Sequence, residues 1–300
     1  MTISNTADTA LSLKAKEQLL IDTLGQAGSI IIAYSGGVDS SLLAYYARRT
    51  LGRNAKIVIA VSPSLAEEEL SAARAQAEQF EWELIEITTN EVDKAEYQRN
   101  DLMRCYFCKS TLFEELDKMS EKLAIARIAY GANVDDLSDF RPGHKAAREH
   151  HVLSPLQSAQ LTKVDIRELA KQAALPSWDR PQAACLSSRF PTFVQVTAPA
   201  LSRVDKAESF IHSLGFRQIR VRNHVMPGDP ATGEKQSLLA RIEVEKSELE
   251  RFSSNVDLMN KVDEELKKLG YDFVSLDLAG YRQGSGNAMS RKLGEEDGSL

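Results

Sequence analysis

The passage from residue 28 to residue 51 constrains the fold more than any other. An apolar run, GSIIIAYS, stops at a pair of glycines, and SLLAYYARRTL follows at once with helical spacing. A short β-branched run bounded by glycine reads as a buried strand. A strand that opens directly onto a helix is the first half of a strand–helix–strand unit. The same grammar recurs: KIVIAVSPS, WELIEITT and IARIAYGAN are further strands, and AEEELSAARAQAEQF is strongly helical. Strands alternating with helices at this interval predict a parallel sheet covered by helices on both faces.

The turn itself reads SGGVDS, Ser35 to Ser40. Gly36 and Gly37 allow positive φ and close backbone approach to a ligand. Backbone N–H groups and the helix N-terminus then make an anion site suited to phosphates, to which Ser35 and Ser40 add hydroxyls. Asp39 would repel a phosphate on its own, so its natural roles are to hold Mg²⁺ or to orient loop amides. The loop has no Lys and is not a Walker A motif. Ser62 follows the second strand and Gly131 the fourth, at the sheet edge where open α/β sheets bind ligands. A plain turn is the alternative for Gly131. Asn133, Asp135 and Asp136 would contact ribose or Mg²⁺ or cap a helix, and Asp139 and Arg141 would contact nucleotide or form a turn.

The net charge of −6 argues against a surface that grips nucleic acid through its phosphates. No run of about 18 apolar residues is present. The first twenty residues lack the pattern of a signal peptide, so a cytoplasmic protein is expected. Cys105, Cys108 and Cys185 are an odd set, unlike a disulfide framework. The Cys105-Tyr-Phe-Cys108 spacing points to metal or thiol chemistry. A zinc half-site, completed by His144, His150 or His151, and a thiol–disulfide pair both remain open. Arg104 and Lys109 beside the pair are expected to favour thiolates.

Beyond about Ala183 the pattern changes. SSRFPTFVQVTAP mixes turn residues with a short strand, and the rest reads helix (200–214), strand (RQIRVRNH), loop, strand (LLARIEVE), helices and a last strand (DFVSLDLA). That order predicts a small α+β domain of ferredoxin-like kind. The loop MPGDPATGEKQS and the tail from Arg291 are expected to be mobile. Arg220 and Arg222 stand two apart in a strand and share a face, suited to a phosphate or carboxylate or else simply solvated. Arg189 is a candidate for a substrate phosphate, with Ser187 and Ser188 as donors. Glu208 is a weaker candidate for metal or substrate, and Trp178 for ring stacking.

SGGVDS resembles the signature of the PP-loop ATP pyrophosphatase superfamily. With NDLMRCYFCKSTLF, YGANVDDLSDFRPG, SPLQSAQLTKVDIRELA, LPSWDRPQAACLSSRFP and SLDLAGYRQGS, the chain from Ser35 to about Gly286 resembles the LarE family of ATP-dependent sulfur transferases. The resemblance implies a PP-loop domain of Rossmann-like, HUP-type architecture over 1–190, then a smaller α+β domain for substrate and oligomerisation over 191–300. It implies ATP and Mg²⁺ as cofactors and adenylylation of a carboxylate of pyridinium-3,5-biscarboxylic acid mononucleotide, with release of pyrophosphate. Sulfur is then inserted by way of Cys185, for nickel-pincer nucleotide synthesis and maturation of lactate racemase. Members with that cysteine alone surrender its sulfur. Three-cysteine members resemble the set here, which implies a [4Fe–4S] cluster on Cys105, Cys108 and Cys185. Arg189, Glu208, Arg220 and Arg222 are the implied substrate residues, and a homo-oligomer, as large as a hexamer, the implied assembly. A PP-loop tRNA thiolation enzyme is the alternative.

Overall fold

The computed structural model describes residues 11–125, 127–138, 142–181, 184–228 and 235–282. Asp139, Arg141, the middle of the MPGDPATGEKQS loop and the tail from Arg291 lie outside the described residues. The helices are α1 (Leu13–Ala27), α2 (Val38–Leu51), α3 (Glu67–Gln79), α4 (Ala95–Gln98), α5 (Arg104–Leu123), α6 (Pro142–Glu149), α7 (Pro155–Ser158), α8 (Lys163–Gln172), α9 (Ala198–Ser213), α10 (Leu249–Ser253) and α11 (Val256–Lys268). The strands are β1 (Ile30–Tyr34), β2 (Ala55–Val61), β3 (Leu84–Thr88), β4 (Ile128–Tyr130), β5 (Ile219–Met226), β6 (Ser237–Val244) and β7 (Phe273–Leu276). No helix among the described residues is long and apolar enough to cross a membrane.

Two compact units result. The first comprises Met1–Ala60, Ala72–Thr88 and Leu112–Ala183, and the second Val61–Ser71, Thr89–Thr111 and Ala184–Leu300. The units are interleaved: 61–71 and 89–111 pack with the C-terminal part of the chain, whereas the sequence reading drew one boundary at residue 190.

In the first unit the sheet order is β3-β2-β1-β4, with β1 parallel to both β2 and β4. All five residues of β1 are buried, as expected of a central parallel strand covered on both faces, where an apolar run replaces alternation. The chain leaves β1 toward β2 on one side and later returns to place β4 on the other. The carboxyl ends of β1 and β4 therefore flank a topological switch point, the place where open α/β sheets bind ligands.

The second unit holds a three-stranded sheet, β5-β6-β7, with β5 and β6 antiparallel and β6 and β7 parallel. Ile219, Val221, Ala240, Ile242 and Val244 alternate onto one face and form a core with Ala207 and Ile211 of α9 and Val262 and Leu266 of α11. The α+β composition agrees with the sequence; the strand expected in FVQVTA does not form. Phe193 has φ of 69°, and the N–H groups of Phe193 and Val196 donate to the carbonyls of Asn100 and Gln98 instead of to a sheet partner. Val196 fills a separate core with Val92, Tyr97, Leu186 and Phe190. Burial there is satisfied by an irregular segment pinned to the α4–α5 turn.

Candidate ATP loop and cysteine site

The loop site belongs to the first unit. β1 delivers Ser35, and Gly36 takes φ of 76°, which admits the glycine pair at little steric cost. Ser40 Oγ donates to Gly37 O (3.0 Å), accepts from Ser35 N (3.1 Å) and lies 3.1 Å from Ser35 Oγ. Ser40 thus closes the loop on itself and aims the first turn of α2 outward. Gly37 is the N-cap and has no side chain to satisfy the N–H groups of that turn, so they remain donors for an anion. Gly131 is more than a turn residue: a Cβ there would lie 2.8 Å from Ser40 N and 3.0 Å from Asp39 C. Only glycine lets the end of β4 come this close to the start of α2.

Around Asp39 the structure collects groups from three segments. Asn133 Nδ2 donates to Asp39 Oδ1 (3.3 Å), and Lys163 Nζ donates to Asp39 Oδ2. Asn133 is itself fixed: its N–H donates to Asp136 Oδ2, its Oδ1 accepts from Asp135 N, and its carbonyl accepts from Gln157 Nε2. Lys163 N donates to Asp135 Oδ2 (2.6 Å). Sequence reasoning missed Lys163. The loop lacks the lysine of a Walker A motif, yet α8 supplies a cation from 124 residues away in sequence. The available signal was the capping box Thr162-x-x-Asp165, which puts Lys163 at the first position of α8.

Ser62 takes another part. Its Oγ donates to Glu91 Oε1 (2.5 Å) and lies 2.8 Å from Ser64 Oγ, which also donates to Glu91 Oε1 (3.0 Å). This trio lies in the second unit, where Glu91 is 2 % exposed.

All three cysteines are in the second unit. Cys105 and Cys108 lie three apart in the first turn of α5 and so share a helix face. Cys105 and Cys185 are exposed, and Cys108 is partly buried. Cys108 does not have the lowered pKa expected from Lys109. Burial first, then the Glu91 carboxylate and the Cys185 sulfur, push it up to about 12. Burial raises the Tyr97 hydroxyl too, and Cys185 and Cys108 raise it further. Burial opposes the Arg104 charge, but Cys185 and Cys105 outweigh it and hold its pKa above the ordinary value. The three sulfurs therefore share one electrostatic neighbourhood, centred on Tyr97 and Arg104. Among the described residues, no three His, Cys, Asp or Glu side chains form a group that could hold a metal ion. His150 is bonded to Asp117 (2.7 Å), and His144 meets the edge of the Tyr130 ring.

Tyr97 and Asn100, which the sequence did not single out, join these segments together with Arg104. Tyr97 Oη lies 2.5 Å from Ser187 Oγ; Arg104 Nη1 donates to Ser187 O (2.9 Å) and to Asn100 Oδ1. Asn100 Nδ2 donates to the carbonyls of Pro191 and Val194. No local pattern announces contacts across roughly ninety residues.

The arginines divide by what they touch. Arg189 is consumed internally: Nε and Nη2 donate to the two oxygens of Glu208 (2.9 and 2.8 Å), and Nη1 to the carbonyls of Ala184 and Cys185 and to Ser188 Oγ. Glu208 Oε1 also accepts from Val221 N (2.8 Å). Arg222 donates to Glu243 (2.7 Å) and to Ser188 O (2.9 Å). Arg220 differs. It donates to Ile219 O and lies 5.2 Å from the Tyr281 ring, and no carboxylate among the described residues pairs with it. Burial and then the Arg189 charge lower its pKa, the mark of a cation held out of water beside other cations. Trp178 lies in the first unit, 36 % exposed, with Lys171 Nζ 5.1 Å from its ring.

A parallel sheet that carries SGGVDS and a glycine-gated helix N-terminus at its switch point defines a Rossmann-like α/β protein of the PP-loop class. The family model described as NAD synthase matches residues 14–115. The chain is 31% identical over 277 residues to the pyridinium-3,5-bisthiocarboxylic acid mononucleotide synthase of Lactiplantibacillus plantarum, covering 92% of this chain and 95% of that protein. It is 39% identical over 280 residues to an uncharacterized protein of Synechocystis sp., covering 93% and 100% respectively. With an uncharacterized protein of Methanocaldococcus jannaschii it shares 29% over 253 residues, covering 84% and 90%. The chain belongs to the LarE family of PP-loop proteins.

Proposed function

We propose that the protein is an ATP-dependent sulfur transferase that converts a carboxylate of pyridinium-3,5-biscarboxylic acid mononucleotide, or of its half-thiolated form, to a thiocarboxylate for nickel-pincer nucleotide synthesis. One observation carries this reading. The Arg189–Glu208 pair holds the carbonyl of Cys185 at one end and the backbone of Val221, next to Arg220, at the other. A single buried frame thus supports an exposed thiol and an uncommitted cation. A sulfur nucleophile and an anchor for an anionic substrate are what the reaction needs.

The first half-reaction is assigned to the loop. A substrate carboxylate oxygen attacks the α-phosphorus of ATP; the bond from that phosphorus to the bridging oxygen breaks, and pyrophosphate leaves with the electron pair. The α2 amides, Ser35 and Ser40 offer donors to the phosphates. Asp39 suits Mg²⁺, since a carboxylate with one oxygen on a partly exposed lysine can exchange that partner for a hard cation. Lys163, once released, is placed to pair with phosphate.

In the second half-reaction sulfur attacks the acyl carbon, and the carbon–oxygen bond to AMP breaks. Cys105, Cys108 and Cys185 would hold a [4Fe–4S] cluster, which when bound supplies the transferable sulfide. The chemistry of the donor set suits a cluster, which takes thiolates, and the three sulfurs act on common neighbours; the described residues do not gather them, or any three such side chains, into a metal group. Arg220 holds the substrate's phosphate or second carboxylate, and Tyr281 braces its guanidinium. The exposure of Cys185 also favours a second route, surrender of its own sulfur.

The test is anaerobic: purified protein, Mg·ATP and the pyridinium substrate, with pyrophosphate and thiocarboxylate both quantified. Both products are expected, and Cys185→Ala should keep pyrophosphate release and lose the thiocarboxylate. No pyrophosphate from the wild type refutes the proposal. Stoichiometric zinc without iron or sulfide refutes the cluster, and a loss of roughly 34 Da at Cys185 marks the sacrificial route.

A further inference from the structure

The second unit contains a cavity that the sulfur chemistry does not use. It measures about 470 Å³ and is formed by the first turns of α9, the irregular segment 193–197 and the far ends of β5 and β6. Neither a cysteine nor Arg220 lines it. Its β5 residues, Asn223 and Val225, alternate with Arg220 and Arg222 and so face away from them. The volume is within the range of small-molecule sites, which pair an apolar wall with a few polar groups.

Those polar groups are present. Asn223 is 2 % exposed, and its Oδ1 has no hydrogen-bond partner among the described residues. A shielded amide oxygen without a donor is a cost to the fold, and no step of the sulfur transfer uses it. Arg203 spends Nε on Leu269 O (3.1 Å) and rests 5.6 Å from the Tyr271 ring, with no carboxylate paired to it among the described residues. Phe193, Val225 and Leu238 supply apolar wall between them.

We propose that this cavity is a binding site for a small organic carboxylate with an apolar body and an O–H or N–H donor. The carboxylate pairs with the guanidinium of Arg203, whose planar fork matches it. The body lies against Phe193, Val225 and Leu238. The donor reaches Asn223 Oδ1, because rotation about the terminal amide torsion is soft.

The experiment uses the full chain without ATP or pyridinium substrate, so its outcome is independent of the proposed reaction. The probe is 4-hydroxyphenylacetate, followed by ligand-observed NMR and calorimetric titration. Saturable binding is expected, about tenfold weaker for 4-hydroxybenzyl alcohol, which lacks the carboxylate, and about tenfold weaker for Arg203→Gln. Val225→Trp fills the cavity from its rim and should abolish binding while thermal melting stays unchanged. Asn223→Leu should weaken binding and leave the melting temperature equal or higher. Absence of saturable binding up to about 10 mM overturns the proposal. So does binding that survives both Arg203→Gln and Val225→Trp.

Discussion

The loop site and the cysteine site solve opposite problems. In the first unit one contiguous hexamer forms the candidate anion cradle, whose ion pair, Asp39 with Lys163, stays partly exposed at 22% and 33%. In the second unit Arg189–Glu208 and Arg222–Glu243 are almost wholly buried. On the proposed function, a cradle that exchanges partners with Mg·ATP uses a pair that water can help to separate. A frame that must hold a thiol and an arginine in fixed register uses pairs that are costly to break. Charge is exchangeable in one site and structural in the other.

The largest effect that tests this contrast is expected from Arg189→Ala. It leaves Glu208 buried without its cation and should cost about 3–5 kcal/mol in urea unfolding. Arg189→Met with Glu208→Gln should recover much of that. A small loss in the single variant would break the comparison. Gly131→Ala comes next: the added methyl collides with the backbone of α2, costing about 1–3 kcal/mol and suppressing pyrophosphate release.

Smaller and more selective effects are expected where charge is exchangeable. Lys163→Met should raise the KM for ATP by about tenfold, the loss of one charged hydrogen bond, without changing that for the pyridinium substrate. Arg220→Met should do the reverse and shift stability by less than about 1 kcal/mol, since no buried carboxylate loses a partner. Crossed effects would remove the division of labour between the units.

The smallest effect concerns the thiols of the metal-free protein. The Cys108 thiol, near pKa 12 against an ordinary 9.0, stays protonated at pH 8. Iodoacetamide followed by peptide mapping should label the exposed Cys105 and Cys185 first. Because the folded chain holds the Cys108 proton more tightly than the unfolded one, its contribution to stability is intact below pH 9. That contribution is lost as pH rises from about 9 to about 12. Cys108 labelled as fast as the others would contradict its burial beside Glu91.

Much of the first unit was legible because its information is local. The apolar runs, the glycine pair and the helical spacing each act within a few residues, and the parallel sheet follows from their alternation. Gly131 was legible as a position but not for its reason, which is the absence of room for a Cβ against Ser40. The strand read into FVQVTA failed because alternation of apolar residues also suits an irregular segment when Asn100 and Gln98 offer carbonyls. The expected thiolate at Cys108 failed because sequence shows Lys109 and hides Glu91.

By itself the sequence determined the strand–loop–helix unit around SGGVDS, the shared face of Arg220 and Arg222, and the family motifs. Their physics is backbone sterics, periodicity and the helix terminus, all short-ranged. Only the tertiary structure decided that Lys163 meets Asp39, that Arg189 pairs internally with Glu208, and that Arg220 is left without a carboxylate among the described residues. Those outcomes depend on which charges meet after burial, and partners tens of residues apart are chosen by packing.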